Sequence, residues 1–220
     1  MKKTPPIALE TRNIDGARLF SPSAARNRDP IRAALLASLT LKDGVILEIG
    51  SGTGEHVTHF AAATPGLRWL PGDPDSSSRA SVAAWTAHAK LSNIAPPHAI
   101  DVTTEGWERA LPPLDGVVSI NMIHIAPIEA ARGLIKGAGT LLRARGVLFL
   151  YGPFSRCGAH TAPSNAEFDA NLKRRDPRWG VRDLENDIIP LAREAGLSFY
   201  EARPMPANNF SIIFNKRPAP

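Results

Sequence analysis

Apolar residues along this chain gather in short compact runs separated by longer stretches with a helical rhythm. Residues 45–49, 67–70, 116–121 and 147–151 are runs of strand length, and residues 98–100 make a weaker one. Between them, residues 55–63, 76–91 and 128–142 read as helices. Ahead of the first run, Asp29-Pro30 has the form of an N-cap followed by proline at the first helical position. Ile31, Ala34, Leu35, Ser38 and Leu39 then keep the i, i+3, i+4 spacing of a packed helix. Strand followed by helix with short connections predicts a parallel sheet covered on both faces, because parallel strands need helical crossovers. The C-terminal end breaks this pattern. Residues 197–203 and 210–216 are both strand-like, and the turn-rich Pro204-Met205-Pro206-Ala207-Asn208-Asn209 between them leaves no room for a helix, so they must pair antiparallel. The predicted class is α/β: a doubly wound, mostly parallel seven-stranded sheet, Rossmann-like, closed by a C-terminal antiparallel hairpin. Pro190 falls inside a helix drawn over residues 183–195 and should kink or split it.

A length of 220 residues fits one domain with a filled core, and 43% hydrophobic with 21% charged residues is ordinary for a soluble globular protein. We divide the chain into an N-terminal tail, residues 1–20, and one domain, residues 21–220, with an insertion at about 152–182. Residues 1–10 hold Lys2 and Lys3 but no apolar stretch behind them, so no signal peptide is expected. No window approaches the roughly 18 apolar residues of a membrane span. A single cysteine, Cys157, excludes an intramolecular disulfide and points to the reducing cytoplasm. The net charge of +5 raises the question of nucleic acid. Basic residues are dispersed, however, apart from Lys173, Arg174, Arg175, Arg178 and Arg182, and 6% aromatic residues are too few for a base-stacking platform. A solvated basic face, or a pocket for an anionic substrate, is the favoured reading over nucleic acid.

The most informative stretch is Val45-Ile46-Leu47-Glu48-Ile49-Gly50-Ser51-Gly52-Thr53-Gly54-Glu55-His56. It is a strand with an acidic residue near its end, then alternating glycines that let a ligand approach the backbone, then a helix. A dinucleotide fingerprint requires G-x-G-x-x-G so that pyrophosphate meets the helix N-terminus. Here the spacing is G-x-G-x-G, and Glu48 would repel a phosphate but favour an aminoacyl, sulfonium-bearing ligand. S-adenosyl-L-methionine (AdoMet) fits and NAD does not; the alternative is a tight glycine turn without a ligand. Asp73 lies about 20 residues beyond the loop, where a carboxylate accepts hydrogen bonds from a ribose diol. Asp75 is the second choice, and Gly72-Asp73-Pro74-Asp75 is also good turn chemistry. Asp101, after the weak strand, either accepts from an adenine amino group or caps the next helix. Ser51 and Asn121 complete the expected cofactor set. A parallel sheet closed by an antiparallel hairpin also distinguishes AdoMet methyltransferases from dinucleotide-binding folds.

The loop resembles class I AdoMet methyltransferases in general, and from about Ser21 onward the chain resembles one narrower group. That group is the domain of unknown function 938 family, which includes methyltransferase-like protein 26. The matching segments are Ser21-Pro22 with Arg26-Asn27-Arg28-Asp29-Pro30, Leu47 to His56, and Gly72-Asp73-Pro74-Asp75. Further matches are Asn121-Met122-Ile123-His124-Ile125, Tyr151-Gly152-Pro153-Phe154, Ser164-Asn165 and Phe168-Asp169. Trp179-Gly180, Arg182-Asp183 and Met205-Pro206-Ala207-Asn208-Asn209 complete the set. The resemblance implies the class I fold and an AdoMet site at Glu48, Gly50, Gly52, Gly54, Asp73 and Asp101, and it implies no substrate.

Methyl transfer is an in-line displacement that chiefly demands alignment, so acceptor-side groups are expected just after the fourth and fifth strands. His124 is a candidate general base, with backbone hydrogen bonding as its alternative role. Tyr151 either orients an acceptor through its hydroxyl or packs its ring. The stretch of about 30 residues after the fifth strand is far longer than a usual connection and is read as a substrate lid. It carries His160, Asn165, Asp169, Trp179 and Arg182, with Arg182 holding a carboxylate or phosphate, or else pairing with Asp169. Asn208 and Asn209 line the same mouth or serve as turn formers. His56 and His59 lack a third ligand in register, so no metal is expected. The sequence therefore favours an AdoMet-dependent methyltransferase with a small-molecule acceptor. A non-catalytic methyltransferase-like binding protein and an RNA or protein methyltransferase stand as alternatives.

Overall fold

A hairpin opens the described part of the chain, which in this computed structural model comprises residues 13–218. The segment read for a signal peptide lies outside those residues. Strands β1 (Asn13–Asp15) and β2 (Arg18–Phe20) pair antiparallel about Gly16, whose φ of +60° suits glycine. Helix α1 (Pro22–Ser38) begins immediately after β2 and Ser21. The Ser21 hydroxyl accepts the Ala24 N–H at 3.3 Å and Pro22 takes the first turn, so the helix starts well before the expected Asp29-Pro30. Both sites offer cap-plus-proline chemistry. The earlier one prevails, and Pro30 becomes an interior residue of the helix.

Strand β3 (Gly44–Ile49), helix α2 (Glu55–Ala63), strand β4 (Leu67–Gly72) and helix α3 (Ser76–Ala89) come next. Strand β5 (Leu114–Ile120), helix α4 (Ile128–Leu141) and strand β6 (Leu142–Gly152) continue the alternation. The lid stretch is not structureless, for it holds helix α5 (Pro163–Arg175). A π-helical turn, Leu184–Ile188, then leads into helix α6 (Ile189–Glu194) with Pro190 in its first turn. The split expected at Pro190 thus takes the form of a wide turn, closed by the Ile189 N–H on the Leu184 carbonyl. Strands β7 (Leu197–Met205) and β8 (Asn209–Lys216) form the closing hairpin.

The main sheet runs β4-β3-β5-β6-β8-β7, parallel through β6, with β8 antiparallel to both neighbours. Among the described residues it has six strands where seven were expected. Residues 93–98 lie beside β4 but make only two isolated bridges, Trp69↔Ile94 and Gly72↔His98. Pro71 on β4 and Pro97 opposite have no N–H to give, so the ladder fails in its middle. The parallel strands are apolar on both faces. Leu47, Val117, Leu148 and Leu150 pack with α4 and α6, while Ile46, Val118 and Phe149 pack with α1 and α2. No helix among the described residues is long and apolar enough to cross a membrane.

Candidate functional site

The carboxyl end of β3 carries a loop whose backbone favours glycine. Gly50, Gly52 and Gly54 have φ of +74°, +54° and +88°. A Cβ on Gly50 would stand 2.9 Å from the Met122 side chain, and one on Gly54 would stand 2.8 Å from the Val82 backbone. The loop is tied to the end of β4: the N–H groups of Gly50 and Ser51 donate to the Gly72 carbonyl at 2.8 and 3.2 Å. Asp73 accepts the Gly52 N–H at 2.9 Å through one carboxylate oxygen and the Asp75 N–H at 2.9 Å through the other.

Above this loop lies a cavity of about 590 Å³, within the range of small-molecule and cofactor sites. Glu48, Gly50, Ser51, Gly52, Asp73, Asp75, Asp101 and Asn121 all line it. Gly54 does not; it is the N-cap of α2 and permits close packing on α3. Asp75 also caps α3, accepting the Ser78 N–H at 2.8 Å, and Asp101 also accepts the Thr103 N–H at 2.9 Å. Both aspartates thus combine a place in the wall with a local turn or capping bond.

Glu48 is the most unusual group in the wall. It is 2% exposed, and its Oε2 atom is buried with no hydrogen-bond partner. Burial pushes its pKa up to about 8; Ser51 opposes the rise and the Asp73 charge adds to it. A protein does not ordinarily leave such an atom unmatched.

The expected acceptor-side residues are placed differently, and none of them lines the cavity. His124 is fully buried, edge-on to Phe154 at 4.8 Å, and its Nδ1 accepts the Arg182 N–H at 3.2 Å. Burial, then the Arg182 charge, lowers its pKa to about 3, so it is a neutral imidazole. Tyr151 is 3% exposed beneath α1; burial raises its pKa and the Asn27 side chain partly offsets that. Among the described residues Arg182 makes no salt bridge with Asp169. Its guanidinium donates to the carbonyls of Ile123 at 2.9 Å, Ala126 at 2.6 Å and Arg178 at 3.0 Å. Asp169 instead accepts from Lys173 at 2.6 Å and the Val181 N–H at 2.8 Å. Asn165 donates to the Asn208 carbonyl at 2.9 Å, and Asn208 to the Ser164 hydroxyl at 3.2 Å. Asn209 closes its own turn on Pro206 at 3.0 Å.

Sequence reasoning missed the wall supplied by α1: Ser21, Ser23, Ala24 and Asn27. His56 also faces the cavity, with its Nε2 2.8 Å from Asn27 Oδ1, and its pKa falls to about 4 through burial and then the nearby His59 and Arg28 charges. The Ser21-Pro22 pair was the available signal, since it places the start of a helix beside the loop.

A family model described as protein of unknown function (DUF938) matches residues 18–216. The chain belongs to that family. The DUF938 chain is also similar to solved structures. An O-methyltransferase family protein from Burkholderia thailandensis matches with a TM-score of 0.69 and 16% identity over 88% of this chain and 60% of that one. Human N-acetylserotonin methyltransferase, solved with AdoMet, matches with a TM-score of 0.67 and 14% identity over 89% and 53%. A candidate sarcosine dimethylglycine methyltransferase from Galdieria sulphuraria gives 0.67 and 16% over 89% and 87%. The chain thus spans little more than half of the first two proteins and most of the third, and the likeness establishes the class I methyltransferase fold.

Proposed function

We propose that this DUF938 protein is an AdoMet-dependent methyltransferase acting on a small-molecule acceptor. The observation that carries the reading is the buried, unpartnered Glu48 oxygen in the wall of a glycine-walled cavity. A cationic aminoacyl group would match it, and a phosphate would not. Glu48 and the Gly50–Gly52 backbone would hold that end. The Asp73 carboxylate, fixed at the end of β4 by the Gly52 and Asp75 N–H groups, would accept from ribose hydroxyls. Asp101 with Ile100, Val102 and Ala130 would take the adenine. When bound, AdoMet supplies a methyl group on a sulfonium whose departure leaves a neutral thioether.

The protein's own part is alignment and exclusion of water, which can supply roughly 7–11 kcal/mol. Asn121, Met122, Ile125 and Ala126 form the wall nearest the ends of β5 and β6. The insertion at about 152–182 supports that wall from behind. Its limb is stitched to the wall by the Gly180 N–H on the His124 carbonyl at 3.0 Å and by the three Arg182 bonds. Asp169 steadies the same limb by accepting the Val181 N–H at 2.8 Å. Asn165 ties α5 to the closing hairpin at the Asn208 carbonyl, Asn209 shapes that hairpin's turn, and Tyr151 underpins Asn27. A small acceptor fits a site roofed by a helix, and similarity to a protein named for N-acetylserotonin favours that class. Calorimetric titration with AdoMet, AdoHcy and NAD tests the reading. Saturable binding of the first two but not of NAD is expected, and absence of heat at millimolar AdoMet would overturn it.

A further inference from the structure

The roof of the cavity is held quite differently from its floor. Ser21, Ser23, Ala24 and Asn27 face the cavity from the start of α1. From Ile31 onward the helix is anchored, with Ile31 and Leu35 both 0% exposed. Ahead of Pro30, only Ala24 is buried. Pro30 has no N–H to return to the Arg26 carbonyl, so the two halves of α1 lack a bond that would join them.

Polar links to the glycine loop and its neighbours restrain the first half. The Ser21 N–H donates to Glu55 Oε2 at 2.7 Å, and the same oxygen accepts the Thr53 hydroxyl at 3.0 Å. Glu55 is 5% exposed. Just upstream, the Ser81 hydroxyl accepts the Leu19 N–H at 2.8 Å and donates to the Thr53 carbonyl at 2.6 Å. The Trp85 indole N–H donates to the Leu19 carbonyl at 2.9 Å, and Phe20 stands edge-on to the Trp85 ring at 4.9 Å. Glu55, Ser81 and Trp85 do not line the cavity, so these links act on the roof and not on a ligand.

We propose that residues 18–29 are a hinged strap over the cofactor cavity, with Pro30 as hinge and Glu55 as latch, which opens to admit the cofactor and closes to retain it. Glu55 and Ser81 are positioning residues in this arrangement. The identity of the retained ligand rests on the AdoMet reading above; the latch itself does not.

Stopped-flow binding of AdoHcy and amide hydrogen exchange, both on the full chain, test the strap. Glu55→Ala is expected to raise the AdoHcy dissociation rate about tenfold or more without slowing association, because it removes hydrogen bonds to a buried charged group. Glu55→Gln keeps one acceptor oxygen and should fall between, and Ser81→Ala should shift the rate the same way. Pro30→Ala restores the missing N–H and should slow both entry and exit. In the free protein, exchange over residues 18–27 should quicken in Glu55→Ala, and in the wild type AdoHcy should slow it. Asp115→Ala serves as the remote control. It loses the Val45 N–H bond at 2.8 Å and the Arg143 bond at 2.8 Å at the far end of the sheet, and should leave the AdoHcy rates alone. Equal dissociation rates in Glu55→Ala and wild type, or an equal rise in Asp115→Ala, would overturn the proposal. If Glu55→Ala does not fold, Glu55→Gln and Ser81→Ala decide by the same measures. AdoHcy failing to bind the wild type would remove the ligand's identity, whereas unchanged exchange of the strap in the Glu55 variants would remove the latch.

Discussion

Replacing Glu48 by Gln should make the ligand-free protein more stable, and the gain should grow with pH. The carboxyl is 2% exposed, one oxygen has no partner, and burial raises its pKa from 4.5 to about 8. Between those values the folded chain keeps a proton that the unfolded chain has lost, so wild-type stability falls as pH rises through the window. At 1.36 kcal/mol per pH unit the rise amounts to about 5 kcal/mol of lost stability above pH 8. Glutamine has nearly the same shape and no charge to bury. Urea unfolding of both proteins without ligand, at half-unit steps from pH 4.5 to 9, gives the difference curve directly. The two should be close at pH 4.5 and several kcal/mol apart at pH 9. Other titrating groups act on both proteins, so the difference isolates this position. Ligand binding should show the opposite preference. A cation in the cavity favours ionised Glu48, so AdoMet should bind wild type more tightly as pH rises toward 8, and Glu48→Gln should bind weakly with a flat profile. Parallel stability curves would refute the account of a carboxyl held against its charge.

Gly50→Ala places a Cβ 2.9 Å from Met122 on a residue with φ +74°, and should cost about 1–3 kcal/mol in urea unfolding besides narrowing the cavity. Asp73→Ala removes the acceptor of the Gly52 and Asp75 N–H groups, both at 2.9 Å, and should weaken AdoMet about tenfold or more by calorimetry. His124 is neutral in the fold, with its pKa lowered from 6.5 to about 3. The stability it confers is present above pH 6.5 and is lost as pH falls toward 3, about 5 kcal/mol in all. Unfolding at pH 4 to 7 should show that slope in wild type and a reduced one in His124→Gln; an unreduced slope would place the acid sensitivity elsewhere.

The elements easiest to read from sequence were those whose signals are local. The run 45–49 and the glycine spacing after it specify a strand, a loop and a helix within a dozen residues, and β3, the loop and α2 match that reading. The cavity wall was legible because alternating glycines and strand-end acids are placed by backbone position alone, and Glu48, Gly50, Gly52 and Asp73 all line the cavity. Two errors have causes that emerge only once elements pack or pair. Ser21-Pro22 and Asp29-Pro30 both encode a helix start, and only the packing of Ile31 and Leu35 shows that one helix passes through the second. The run 98–100 resembled a strand, but the prolines that weaken its ladder sit one on each partner, Pro71 and Pro97, so the loss appears only once the strands are paired. For His124, Tyr151 and Arg182 the sequence left two roles open for a different reason. His124 and Tyr151 stand near strand ends as expected, but sequence does not show what a side chain packs against, and neither they nor Arg182 line the cavity.

Their place outside the cavity gives the site an asymmetry. On the β5 and β6 side, the wall at residues 121–126 is backed by a half-buried guanidinium whose donors reach three carbonyls, with a fully buried imidazole beside it. Withdrawing Arg182 would leave those carbonyls and a desolvated cation without partners, so this wall is costly to move. On the α1 side, the Ser21 N–H rests on a carboxylate oxygen shared with Thr53, ahead of a proline that breaks the helix ladder. Ahead of Pro30 that half of α1 buries only Ala24, whereas the Arg182 set secures three carbonyls at once. Motion that admits a ligand should therefore fall to the α1 side, while the opposite wall keeps the geometry on which an in-line transfer depends.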